Sequence, residues 1–140
     1  MNIILYSIPE DKAGERLQRA IEMLVREENF EVFSTFSSLS LRLHQPLDDV
    51  RLVVLNASSK QDLTDILSLR DILWNVRVIL VLPDRGAATT SMGHILRPRL
   101  ISYADSDSLE VFAVLSRMIV ANDKVKDASW KHDQTHSGGH

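Results

Sequence analysis

The sequence predicts an α/β domain: a doubly wound, five-stranded parallel sheet in the order 2-1-3-4-5, with helices on both faces. Short β-rich runs alternate strictly with helical patterns, which calls for parallel strands joined by helices. The first run, Asn2 to Ser7, is nearly all apolar, as a strand covered on both faces must be. Right-handed crossovers then leave few other arrangements for five such units. A chain of 140 residues, 44% apolar and 25% charged, suits one globular domain.

After the first strand, Ala13, Leu17, Ala20, Ile21, Leu24 and Val25 recur at three- and four-residue steps, so this helix has one apolar face. It is expected to close at Glu28-Asn29. Phe30 to Phe36 reads as the second strand. Ser37-Ser38 offers a cap for a short helix carrying Leu39, Leu41 and Leu43, which ends before Pro46. Arg51 to Asn56 is the third strand. Ser58 and Ser59 cap a helix containing Leu63, Ile66, Leu67, Arg70 and Trp74. Val76 to Leu82 is the fourth strand, stopped by the turn Pro83-Asp84-Arg85-Gly86. Ala87 to Leu96 is a weaker helix, Pro98 breaks the chain, and Leu100 to Tyr103 is the fifth strand. Asp105 to Ser108 caps a last helix running to about Ala121. Residues 1–121 thus make the domain, and 122–140, polar and ending in Ser-Gly-Gly-His, are expected to be a disordered tail. Five strands alternating with five helices give the flavodoxin-like arrangement.

Composition narrows the function. The net charge is −3, with no basic surplus and no dense Lys/Arg stripe along the chain, so no nucleic-acid partner is expected. The lack of cysteine removes disulfides, thiolate catalysis and Cys-bound metals. No apolar stretch approaches the roughly 20 residues that span a bilayer, and the start reads as a strand rather than a signal peptide. A cytoplasmic location without membrane contact is the expectation.

Length, element order and the segment SLSLRLHQPLDDVRLVVLNAS resemble bacterial response-regulator receiver domains over about residues 1–121. In that family an acidic pair after the first strand holds magnesium; those places fall on Ser7 and Ile8. The phosphoacceptor aspartate ends the third strand, where Asn56 stands. Asparagine has the shape of aspartate but no charge and far weaker nucleophilicity. The family's switch hydroxyl at the end of the fourth strand corresponds to Leu82, and its conserved lysine to Ser102 or Tyr103. Nucleophile, metal site and phosphate clamp are all missing, and phosphoryl transfer depends almost wholly on such electrostatics. The resemblance therefore implies a pseudo-receiver: a scaffold kept for protein contact, with no enzymatic activity and no cofactor.

Other constellations read more plainly. Glu10 and Asp11, which with Asp84 suggest a displaced metal site, suit the positive end of the first helix better, so no metal is expected. The loop Ser7-Ile-Pro-Glu-Asp-Lys has two acids and no glycine, which disfavours a flavin phosphate, and neither dinucleotide nor P-loop fingerprints occur. His44 and His94 have no identifiable catalytic partner. His132, His136 and His140 sit at four-residue steps, but Gly138-Gly139 interrupts any helix there.

The last helix carries two apolar stripes. Leu109, Phe112, Ala113, Ser116, Ile119 and Val120 are read as packing on the sheet. Val111, Val114, Leu115 and Met118 are read as an outward stripe for a protein partner and a homodimer, with Arg97, Arg99 and Tyr103 at its rim. The rival expectation is a small-ligand sensor with Ser7, Asn56, Pro83 and Asp84 lining a pocket at the carboxyl ends of the strands.

Overall fold

The computed structural model describes residues 2–106 and 109–119. Its elements are β1 (Asn2–Tyr6), α1 (Lys12–Glu22), a 3-10 turn (Glu27–Asn29), β2 (Phe30–Phe33), α2 (Phe36–Leu43) and β3 (Val50–Asn56). There follow α3 (Lys60–Leu67), α4 (Arg70–Leu73), β4 (Val78–Leu82), α5 (Ala87–His94) and β5 (Leu100–Tyr103). A last helix, α6, covers 109–119. The sheet is parallel throughout, in the order β2-β1-β3-β4-β5, so the fold is the flavodoxin-like α/β one that the alternation predicts.

The period-two geometry of strands divides the core into two layers. Ile4, Tyr6, Val53, Leu55, Val78, Leu80 and Leu82 face α2 to α5. Ile3, Leu5, Leu52, Val54, Ile79 and Val81 face α1 and α6. Burying an aliphatic side chain is worth roughly 1.5–3 kcal/mol, so these strand residues dominate the stability and fix the register.

Local differences have local causes. Asp11 caps α1, its carboxylate accepting from the amides of Ala13 and Gly14, and so is the helix start that the dipole favours. That helix stops at Glu22, short of the expected Glu28-Asn29, and the 3-10 turn intervenes. Thr35, not Ser37-Ser38, caps α2, because its hydroxyl accepts the Ser38 amide; β2 therefore ends at Phe33. The helix expected from Ser59 onward breaks in two, since the amides of Ser68 and Leu69 turn back to carbonyls three residues earlier.

The faces of α6 differ from the sequence reading, although Ile119 packs against the core as expected and Val120 lies outside the described residues. Val111 and Leu115 are core residues, 2% and 0% exposed, with Val114 and Met118 packed beside them. Leu109, expected inside, is 71% exposed. Periodicity found both stripes but could not say which goes in. The inward stripe is apolar at every position, whereas the other includes Ser116, whose hydroxyl is costly to bury unpaired. The proposed outward contact through Val111, Val114, Leu115 and Met118 is thereby withdrawn.

Candidate functional site

In a doubly wound parallel sheet the functional site lies at the carboxyl ends of the strands, and the residues corresponding to the receiver's chemistry do gather there. Ser7 follows β1, Asn56 ends β3, Leu82 ends β4, and Ser102 with Tyr103 ends β5. Asn56 is fully buried, and its amide donates to Ser7 Oγ at 3.2 Å. The Asn56 carbonyl oxygen has no partner among the described residues. Leu82 and Ser102 are 0% and 2% exposed, whereas Ile8 stands outside at 37%.

Gly14, in the first turn of α1, closes this place. A side-chain carbon there would overlap Ser7 Oγ, lie 2.6 Å from Ser7 Cβ and come within 3.3 Å of the Asn56 amide nitrogen. The glycine lets α1 settle directly onto Ser7 and Asn56. Beside it Arg16 reaches across to donate to the Ala104 carbonyl at 3.1 Å. A narrow slit of about 10 Å³, about the size of one water, lies among Arg16, Ser102 and Val111. At the strand ends α1 thus packs directly on Ser7 and Asn56.

The rim is tied down as well. Tyr6 donates to Asp62 Oδ1 at 2.7 Å, while the amide and hydroxyl of Ser58 both donate to Asp62 Oδ2. Burial, and then the neighbouring Asp62 carboxylate, push the Tyr6 phenol well above its ordinary range. Past β4, the Gly86 amide donates to Asp84 and holds that carboxyl below its usual value; the nearby Thr89 hydroxyl adds to this as a dipole without forming a well-aligned bond. Arg85 pairs with Asp105 and lies 4.3 Å over the Tyr103 ring, and the Tyr103 hydroxyl meets Thr90 at 3.3 Å.

The predicted site residues thus divide. Ser7 and Asn56 touch each other, while Ser102 and Tyr103 line the slit under Arg16. Ser7 and Asn56 are buried, whereas Asp84, the other polar residue named for a ligand pocket, is exposed. Arg97 and Arg99 lie at the opposite edge of the sheet, Arg97 stacked 4.3 Å over Trp74. His44 and His94 are exposed at the ends of α2 and α5. Sequence reading missed Gly14, Arg16 and the Tyr6–Asp62 bond. Gly14 carried a signal: a glycine inside an otherwise strong helix costs about 1 kcal/mol against alanine and asks for a packing reason.

Among solved structures the chain is similar to a putative pilus assembly-related protein from Burkholderia pseudomallei. The TM-score is 0.60 at 17% identity, over 86% of this chain and 90% of that one. At this identity the likeness is one of fold. No protein-family model and no curated protein matches the chain.

Proposed function

We propose that this protein is a pseudo-receiver: a receiver-like regulatory module that works by protein contact and is indifferent to phosphorylation. The observation that carries the reading is the plug of Gly14, Ser7 and Asn56. It replaces nucleophile, metal site and phosphate pocket with packed protein. What remains available is surface. Met23 and Leu109 are 77% and 71% exposed beside an open groove of about 370 Å³ between α1 and α6. Exposed apolar area of this kind supports a contact role. The related fold described as pilus assembly-related fits a scaffold used for assembly rather than catalysis, although it lends this chain no partner.

The test is a paired one. The full chain is incubated with acetyl phosphate and magnesium, and its intact mass is measured before and after. The mass stays unchanged, and protein partners are recovered from native extract equally with and without the phosphodonor. A stable added phosphate that disappears in Asn56→Ala, or partner recovery that requires the phosphodonor, overturns the reading.

A further inference from the structure

All five strands are parallel, so the residues that lead into them lie along a single edge, opposite the plugged cleft. Read across that edge, charge separates. At the β2-β1-β3 end, Glu28, Glu31, Asp48 and Asp49 surround one guanidinium, Arg42, in a depression of about 650 Å³ floored by Asn2 and Pro46. Arg42 is spent internally, at 2.9 Å from Glu31 and 3.5 Å from Asp49, and Glu28 has only a loose 3.8 Å pair with Arg26. The depression is therefore acidic and open.

At the β4-β5 end the opposite holds. Arg77 immediately precedes β4 and Arg99 immediately precedes β5, where its amide bonds to the Val78 carbonyl. Arg70 lies one turn before Trp74 on α4, and Arg97 stacks on the Trp74 ring. Asp71 is the one carboxylate in this stretch, and among the described residues none of the four guanidiniums makes an ion pair. Trp74 is 62% exposed and Ile95 53%. Arg97 is held at φ 52, in the left-handed region that any residue with a Cβ disfavours, directly before Pro98. This end is thus a basic, aromatic knob built on a strained residue, and tryptophan with arginine is the composition of interface anchors.

We infer that the occupant of this edge is a second copy of the chain. The knob and the acidic depression face the same way, on the layer of α2 to α5. A head-to-tail chain would need them to face apart. A two-fold axis normal to the sheet, near the start of β3, turns one edge onto the other and keeps each layer on its side. It brings each Trp74–Arg97 knob to the partner's depression, so the contact is made twice and closes. The two ends are ~14 Å apart, three strand spacings, close enough for both contacts to form together. The edge is only ~20 Å wide, which makes a small interface, steered by charge and sensitive to salt. The inference rests on the protein-contact reading but fails separately from it, since phosphate uptake plays no part in its test.

Sedimentation of the full chain is the measurement. A dimer is expected at about 20 mM salt, with the dissociation constant rising about tenfold or more by about 500 mM as the Debye length shrinks. Two variants alter exposed residues that make no side-chain bond across strands: Arg77→Glu with Arg99→Glu, and Glu28→Arg with Asp48→Arg. Each is expected to be monomeric and to keep the wild-type circular dichroism, and an equimolar mixture of the two restores the dimer. Trp74→Ala, which changes no charge, weakens the dimer as well. A wild-type monomer at high micromolar concentration overturns the inference. So do variants that remain dimeric alone, or folded variants that fail to pair when mixed.

Discussion

Replacing Asn56 by aspartate restores the residue a receiver would phosphorylate, and the structure expects it to harm the protein instead. The side chain is fully buried, its amide meets Ser7 Oγ, and α1 lies over it through Gly14. Arg16 of α1 is engaged with the Ala104 carbonyl. An aspartate here is desolvated beside the neutral Ser7 hydroxyl, so its folded-state pKa rises above the ordinary value near 3.9. With a rise of about 3 units, at about 1.4 kcal/mol each, Asn56→Asp costs about 4 kcal/mol at neutral pH. That is a large part of the 5–15 kcal/mol typical of a domain. The sign follows from proton binding. Between the unfolded and folded pKa values the native state holds the extra proton, so the variant's stability falls as pH rises from about 4 to about 7 and then levels. Denaturant unfolding of wild type and variant at pH 4, 5.5, 7 and 8 measures the gap, which should be small at pH 4 and full at pH 7. Acetyl phosphate with magnesium should add no mass to the variant. A variant as stable as wild type across this range would mean that water reaches residue 56, and the plug would then be no plug.

Three further outcomes follow from the same geometry. Gly14→Ala drives its new carbon into Ser7 and should cost about 2 kcal/mol of overpacking despite its better helix propensity; adding Ser7→Gly should recover most of that loss, as read by denaturant midpoints. Tyr6→Phe removes a hydrogen bond to a carboxylate, worth about 1.5–3 kcal/mol. The raised Tyr6 pKa means that its stabilisation is complete below about pH 10 and is lost as pH climbs above that, so the variant's alkaline unfolding profile should lose this component. Leu115→Glu should unfold the protein, by circular dichroism, whereas Leu109→Glu should leave it folded; the opposite pattern would restore the sequence reading of α6.

The strands were legible because burial on both faces leaves near-continuous apolar runs such as Val78–Leu82, and strand order followed from handedness. Cap residues were legible only to within a few positions: Ser58 and Ser59 were both candidates and Ser59 caps α3, whereas Ser37-Ser38 were expected for α2 and Thr35 serves instead. The orientation of α6 was not legible, because two stripes on one helix satisfy periodicity equally and only the three-dimensional sheet face chooses between them. The missing receiver chemistry could be read residue by residue at Ser7, Asn56 and Leu82. Its replacement could not, since Gly14 meets Ser7 across a loop and Tyr6 meets Asp62 across 56 positions. Nor could the basic edge be seen. Arg70, Arg77, Arg97 and Arg99 are scattered along the sequence and converge only because parallel strands all begin on one side.

The plug also bears on how such a protein is governed. A two-state protein is moved by a ligand that prefers one state, and the shift can be no larger than that preference. On the pseudo-receiver proposal, the place where a phosphate would enforce a second arrangement is closed by the packing of Gly14 on Ser7 and Asn56. With no chemical input at this position, the molecule has no dial to turn there. On that proposal, its influence would scale with the number of copies present and with which neighbour reaches its surface first, so that synthesis, turnover and competition would set its output.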